Sequence, residues 1–217
     1  MQIFRPRSNT VARSLLVCVA ALPAVVIASG AVLMRTQYIT GVGRTPVQPV
    51  PFSHQHHVAE TGIDCRYCHT GVETSAVAGI PPTETCMTCH SQLWTDAEML
   101  APVRESLAAG RRLHWQRVNA LADYVYFDHS VHVMNGVACA SCHGAVGSMP
   151  LIRQTAPLTM EWCLACHRDP GPHLVSPDAR FTPFDEPSRN SSSQARALLA
   201  LYGVTSAGLT DCSVCHR

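Results

Sequence analysis

Five runs in this chain place two cysteines and a histidine at one fixed spacing. They are Cys65, Cys68 and His69; Cys86, Cys89 and His90; Cys139, Cys142 and His143; Cys163, Cys166 and His167; and Cys212, Cys215 and His216. In a Cys-x-x-Cys-His run the two thiols bond covalently to a haem macrocycle and the adjacent histidine faces the iron as its proximal ligand. Two Cys-x-x-Cys pairs can hold a structural zinc, and one pair can be a redox motif. Neither chemistry explains a histidine directly after every second cysteine. Ten of the 11 cysteines belong to these runs, which leaves only Cys18 and excludes a disulfide framework. The cofactor expected is therefore five haem c groups.

A second set of histidines repeats with the runs. Phe52-x-His54-x-x-His57 recurs as Phe127-x-His129-x-x-His132 at an offset of 75, Cys65 recurs as Cys139 at 74, and Cys86 recurs as Cys163 at 77. The chain is thus a tandem repeat of one Phe-x-His-x-x-His and two haem runs, with a fifth run appended. His54, His57, His129 and His132 are candidate sixth ligands, because a second imidazole makes the iron six-coordinate and suited to single-electron exchange. His56 aligns with Val131 and is expected to be solvated or to support a ligand from behind.

Such haems are attached outside the cytoplasm, so the elements that carry the runs must be exported. Arg5, Arg7 and Arg13 precede an apolar stretch from Ser14 to Met34, closed by Arg35. About 20 apolar residues span a bilayer as a helix, whereas a cleaved signal peptide has an apolar region of about 7 to 15. The expectation is a retained anchor, with the N-terminus inside and the haem domain on the periplasmic face of the inner (cytoplasmic) membrane. The map that follows is a cytoplasmic N-terminus at 1–13, a transmembrane anchor at 14–35 and a linker at 36–51. A first di-haem repeat occupies 52–110, a second occupies 111–173, and a C-terminal extension with the fifth haem occupies 174–217. The fold class expected is a multihaem cytochrome c, mostly irregular, with a few short α-helices packed around five haems and one N-terminal transmembrane helix. Local patterns predict an extended linker from Gln37 to Pro51, a capping box over Thr95–Glu98 and a helix from about Pro102 to Ala109 ended by Gly110. They also predict an extended run from Arg168 to Pro187 and a helix over Ser192–Val204 capped by Ser191, Ser192 or Ser193.

All 16 basic residues are arginine, which excludes a lysine ligand or a lysine base and supplies bidentate partners for haem propionates. The formal charge of +1 falls to roughly −4 once five haems are attached. No basic run points to nucleic acid. There is no phosphate loop, serine-nucleophile motif or coherent acid-base pair, so two classes remain. One is an electron-transfer subunit; the alternative is a periplasmic multihaem reductase with one open haem as its catalytic site.

Phe-x-His-x-x-His followed by Cys-x-x-Cys-His resembles the class III multihaem cytochromes. That resemblance implies that His54 pairs with His69 and His129 with His143, while His57 and His132 reach neighbouring haems. A closer resemblance is carried by QPVPFSH, GIDCRYCHTGVE, IPPTETCMTCHSQLW, YFDHSVHV, VACASCHG, MEWCLACHR and the terminal CSVCHR. These resemble the pentahaem c-type cytochrome subunit of bacterial alternative complex III, a quinol:electron acceptor oxidoreductase. The implied partners are an iron-sulfur or molybdopterin-like subunit, polytopic quinol-binding membrane subunits, and a monohaem cytochrome c or terminal oxidase. Members of that family read Val-His-x-Leu-Pro after the tryptophan between the repeats. This chain has Val118-Asn119-Ala120-Leu121-Ala122 there and places His114 before Trp115, so a role for that histidine does not carry over.

One haem is left without a second imidazole. Met160, Met149, Met134, His114 and His173 are the candidates, with Met160 ahead of Met149 and both in the irregular segment between the third and fourth runs. Met134 follows His132 by two residues and is expected to point away from the haem that His132 serves. A thioether ligand would make that haem the high-potential end of the series.

Overall fold

A computed structural model describes residues 7–184 and 189–216 of the chain. The chain forms two compact units, Met1–Gly41 and Val42–Arg217. The described part of the first unit is helical, with α1 at Ser8–Leu33 and a short α2 at Gln37–Thr40 that ends on Gly41 in the left-handed region. At 26 residues α1 is about 39 Å long, enough for a hydrocarbon core of about 30 Å, and it has no buried residue. It begins six residues before the expected anchor, because Ser8, Asn9 and Thr10 continue the helix beyond the apolar stretch. The linker is likewise not wholly extended, since its first four residues wind into α2. Arg5 lies outside the described residues.

The second unit contains only short helical pieces, and no strand occurs among its described residues. They are α3 (Cys65–Cys68), α4 (Thr83–His90), α5 (Ala101–Ala108), α6 (His129–Met134), α7 (Ala140–His143), α8 (Met160–Arg168), α9 (Ser192–Tyr202) and α10 (Cys212–Cys215). Gln55–Glu60 forms a π-helix, and 3₁₀ turns occupy Glu98–Leu100, Val146–Ser148, Gly171–His173 and Pro177–Ala179. The segment from Arg168 is therefore not extended as expected: α8 takes in Arg168, and two 3₁₀ turns follow, with Pro172 second in one and Pro177 first in the other. Residues 185–188 of that segment lie outside the description. The expected capping box at Thr95–Glu98 is absent, because Ala97 sits at the cap position and its methyl group accepts no hydrogen bond. At α9 the box does form, with Ser191 and Gln194 satisfying each other's backbone, and Gly203 closes the helix at φ +65°. Helix α5 runs one residue ahead of its expected span.

Among the described residues buried apolar side chains are few. Val50, Leu100 and Val103 form one patch, flanked by Cys86, Met87, Ala97, Leu113 and Trp115. A buried pair, Thr83 Oγ1 to Ser106 Oγ at 2.8 Å, ties α4 to α5 beside it. The Val137–Leu174 bridge and the Tyr202 hydroxyl, which donates to Val175 O at 2.8 Å, hold the C-terminal part onto the second repeat. The polypeptide alone supplies little core for a unit of this length.

Candidate haem-ligating centres

Each Cys-x-x-Cys-His run is a single helical turn, carried by α3, α4, α7, α8 and α10. Cysteines at i and i+3 then lie on one side of the turn, and the histidine at i+4 stacks above the first of them. Backbone bonds hold that register: His69 N donates to Cys65 O at 2.9 Å, His143 N to Cys139 O at 3.0 Å and His216 N to Cys212 O at 2.9 Å. No two of the eleven cysteines are joined. After α7, Gly144 turns the chain away at φ +69°, where a Cβ would stand 2.8 Å from Thr155 Cγ2.

The Phe-x-His-x-x-His segments repeat in space as well as in sequence. Phe52 meets His54 edge-on at 4.9 Å and stacks on His57 at 4.4 Å; Phe127 meets His129 edge-on at 4.8 Å and stacks on His132 at 4.5 Å. One phenyl ring thus fixes two imidazoles at different angles. The first repeat has one residue more between its second histidine and its next cysteine, and the π-helix at Gln55–Glu60 absorbs it, since a wider turn takes an extra residue without losing its hydrogen bonds. The role of the phenylalanines was not read from the sequence, although their recurrence at one offset was the available signal.

Three imidazole pairs face each other across a gap. Ring centroids are 6.1 Å apart for His57 and His90, 6.4 Å for His129 and His143, and 6.0 Å for His132 and His167. Two imidazoles sharing one metal through bonds of about 2.0 Å have centroids about 6 Å apart. His54 has His69 as its foremost electrostatic neighbour, matching the His129–His143 pair of the other repeat.

The free nitrogen of each ring follows from its other bond. Nδ1 faces a backbone carbonyl in seven cases: His57 to Ser53 O (2.8 Å), His69 to Gly79 O (2.7 Å), His90 to Leu93 O (3.1 Å), His129 to Ala76 O (2.9 Å), His132 to Asp128 O (2.7 Å), His167 to Leu209 O (2.8 Å) and His216 to Tyr124 O (3.2 Å). A carbonyl only accepts, so Nδ1 carries the proton and Nε2 keeps its lone pair, the state a metal requires. Burial, and then neighbouring His69, lowers His54 to about 4; burial, and then His129, lowers His143 to about 4. Burial also lowers His57 and His132, so all four are neutral at pH 7. Among the described residues no three His, Cys, Asp or Glu side chains gather to hold a bare ion. Paired imidazoles, one of each pair on a two-cysteine turn, would fit a metal carried by a macrocycle that those cysteines hold.

The turns form a row. Tyr67 of the first run bonds Thr88 of the second (hydroxyl oxygens 2.9 Å apart), and the Cys86 thiol lies near Cys68. The first and third runs meet through Cys65 and Cys139. Cys65 Sγ donates to Phe181 O at 3.8 Å while Cys139 N donates to Arg180 O at 3.1 Å. The loop that takes His69 at Gly79 also takes His129 at Ala76. Burial raises the Cys142 thiol to about 12, with Cys166 and Cys163 of the fourth run as its neighbours. Burial, and then Cys215 of the fifth run, raises Cys163, and Leu209 ahead of the fifth run receives His167. The order is second, first, third, fourth, fifth.

The remaining candidates are dispersed. Met149 is 1% exposed, with its carbonyl receiving Gln55 N at 3.0 Å beside the first His-x-x-His segment. Met160 opens α8, is 65% exposed, and stands one turn before Cys163. Met134 is exposed, with Sδ 3.8 Å from Arg180 Nη1. His114 is exposed and His173 is half-buried. His56 is exposed and paired with Glu60 at 2.8 Å, and its ring meets His57 edge-on at 5.3 Å without facing any histidine of a two-cysteine turn.

No protein-family model matches the chain. Over 180 residues it is 29% identical to the menaquinone reductase, multiheme cytochrome c subunit, of Nitratidesulfovibrio vulgaris (strain Hildenborough), a likeness covering 78% of this chain and 77% of that one. The likeness supports a multihaem cytochrome c.

Proposed function

We propose that this chain is a membrane-anchored pentahaem electron-transfer subunit of a quinone-linked respiratory complex of the alternative complex III type. The observation that carries the reading is the three imidazole pairs at 6.0 to 6.4 Å, each with Nδ1 engaged and one partner lying on a two-cysteine turn. The relative named above supports the quinone link, because it is a subunit of a menaquinone reductase. Helix α1 supports the anchor by its length and composition. The haem domain is then periplasmic, on the inner membrane, between an iron-sulfur or molybdopterin-like subunit and polytopic quinol-binding subunits on one side and a monohaem cytochrome c or terminal oxidase on the other.

Haem c held between two imidazoles supplies reversible one-electron exchange and is closed to added ligands. This chain's residues arrange that state. Cys65 and Cys68, Cys86 and Cys89, Cys139 and Cys142, Cys163 and Cys166, and Cys212 and Cys215 anchor the five groups. His69, His90, His143, His167 and His216 are the proximal ligands. His54, His57, His129 and His132 are the opposite ligands of the first, second, third and fourth groups. Phe52 and Phe127 keep each histidine pair at its angle, and backbone carbonyls at Nδ1 hold the tautomer of every ligand histidine but His54 and His143. Met160 is the sixth ligand of the fifth group: it lies on the same side of α8 as Cys163, whose thiol neighbours Cys215. Met149, fixed in the first repeat, is the lesser candidate.

Purification from native membranes tests the reading. The expected preparation contains five haems per chain by pyridine haemochrome and co-purifies with an iron-sulfur protein and polytopic subunits. An isolated chain that reduces nitrite or sulfite at an open haem contradicts it.

A further inference from the structure

The third proximal histidine differs from the other four in what its Nδ1 meets. His69, His90, His167 and His216 each meet a backbone carbonyl, whereas His143 Nδ1 lies 3.1 Å from the side-chain amide nitrogen of Asn119. Asn119 Oδ1 is shielded from solvent and has no hydrogen-bond partner among the described residues. The two ends of an amide have nearly the same shape, and their placement is decided by the bonds they make. With nitrogen facing His143, the ring must accept at Nδ1 and carry its proton on Nε2, which closes the ligating nitrogen. With oxygen facing it, Nδ1–H donates and Nε2 is free. Oδ1 makes no bond where it now stands, so exchanging the two ends gives up none there, and ligation decides between them.

We propose that Asn119 presents its amide oxygen to His143 and is the positioning residue that sets the ligand strength of that imidazole. The inference rests on the reading of His143 as a proximal haem ligand. A side-chain amide oxygen is chemically the counterpart of the backbone carbonyls at the other four centres, and it is the one acceptor of the five that a substitution alters. The outer hydrogen bond of a ligating histidine raises its basicity, and a more basic imidazole favours the oxidised iron. Asn119 therefore adjusts the third centre, the middle of the row, separately from the rest.

The test is a spectroelectrochemical titration of the purified full-length holo-protein in wild type, Asn119→Asp and Asn119→Leu, with haem content measured first. Five haems in the wild type uphold the underlying reading; fewer contradict that reading before the variants are compared. The near-isosteric Asn119→Asp places a carboxylate at Nδ1 and shifts one of the five potentials downward, while Asn119→Leu shifts the same one upward. The g-value of the corresponding oxidised haem moves with it in electron paramagnetic resonance. If Asn119→Asp retains five haems and leaves every potential unchanged or raised, the proposal is overturned. An Asp variant that takes up fewer than five haems assigns Asn119 a structural role and overturns it equally.

Discussion

Removing His57 while leaving its neighbour His56 in place separates a ligand from a bystander one residue away. His57 is held by a 2.8 Å bond from Nδ1 to Ser53 O and by its stack on Phe52 at 4.4 Å. The bond is worth about 1 kcal/mol and the stack about 1 kcal/mol, so His57→Ala loses about 2 kcal/mol from protein contacts alone. For a unit of this size that lowers the melting temperature by roughly 4 to 8 °C. The larger effect is chemical: the ring opposite His90 at 6.1 Å is gone and one haem in five gains an open position. Carbon monoxide difference spectra of the reduced proteins, normalised to haem content, read this directly. His57→Ala gains, over wild type, a signal equal to one fifth of the haem, and His56→Ala, whose ring bonds Glu60, gains none. A His57→Ala protein with five haems and no added carbon monoxide binding refutes the pairing with His90, and a matching gain in His56→Ala refutes the sorting of the two histidines.

A weak charge-transfer band of thioether ligation is expected at the red end of the oxidised spectrum and disappears in Met160→His. Met149→Ala keeps the band but loses about 2 to 5 kcal/mol by thermal melting, because it empties a fully buried site; loss of the band there instead moves the ligand to Met149. Gly144→Ala strains a φ of +69° and drives a Cβ against Thr155, so the melt shows at least about 1 kcal/mol lost. The double change Cys212→Ala and Cys215→Ala removes one haem from an end of the row, and the largest redox shift falls on the fourth haem; a larger shift at the first or second contradicts the order. Intact-mass measurement of the native protein retains the 8–33 segment, and its loss refutes a standing anchor.

The Cys-x-x-Cys-His runs were legible as motifs, but their helical turns were not expected; the signal was the spacing of Cys65, Cys68 and His69, since i, i+3 and i+4 is the helix repeat itself. The α5 and α9 helices were readable from Pro102 and Gly110 in one case and from the capping serines at 191–193 in the other, whereas the part Gln194 plays in the box was not read. The π-helix after His54 was hidden in plain sight as a one-residue difference between two offsets. The acceptors behind the imidazoles had no signal: Ser53, Gly79, Leu93 and Leu209 contribute carbonyls, which every residue possesses. Asn119 stood out only as a departure from a family pattern, and its contact spans 24 positions. The order of the row depends on long-range meetings such as Cys65 with Cys139, which no local spacing encodes. Where Thr95–Glu98 misled, the box letters were present but the chain put Ala97 at the cap.

The central claim is that four centres have two imidazoles and one has an imidazole and a thioether. Low-temperature near-infrared magnetic circular dichroism of the oxidised, fully loaded protein counts them, because the two ligand sets give charge-transfer bands at separate positions. The account predicts intensities in a ratio of four to one. A spectrum with fewer than four bis-imidazole haems among five, or with all five bis-imidazole, contradicts it.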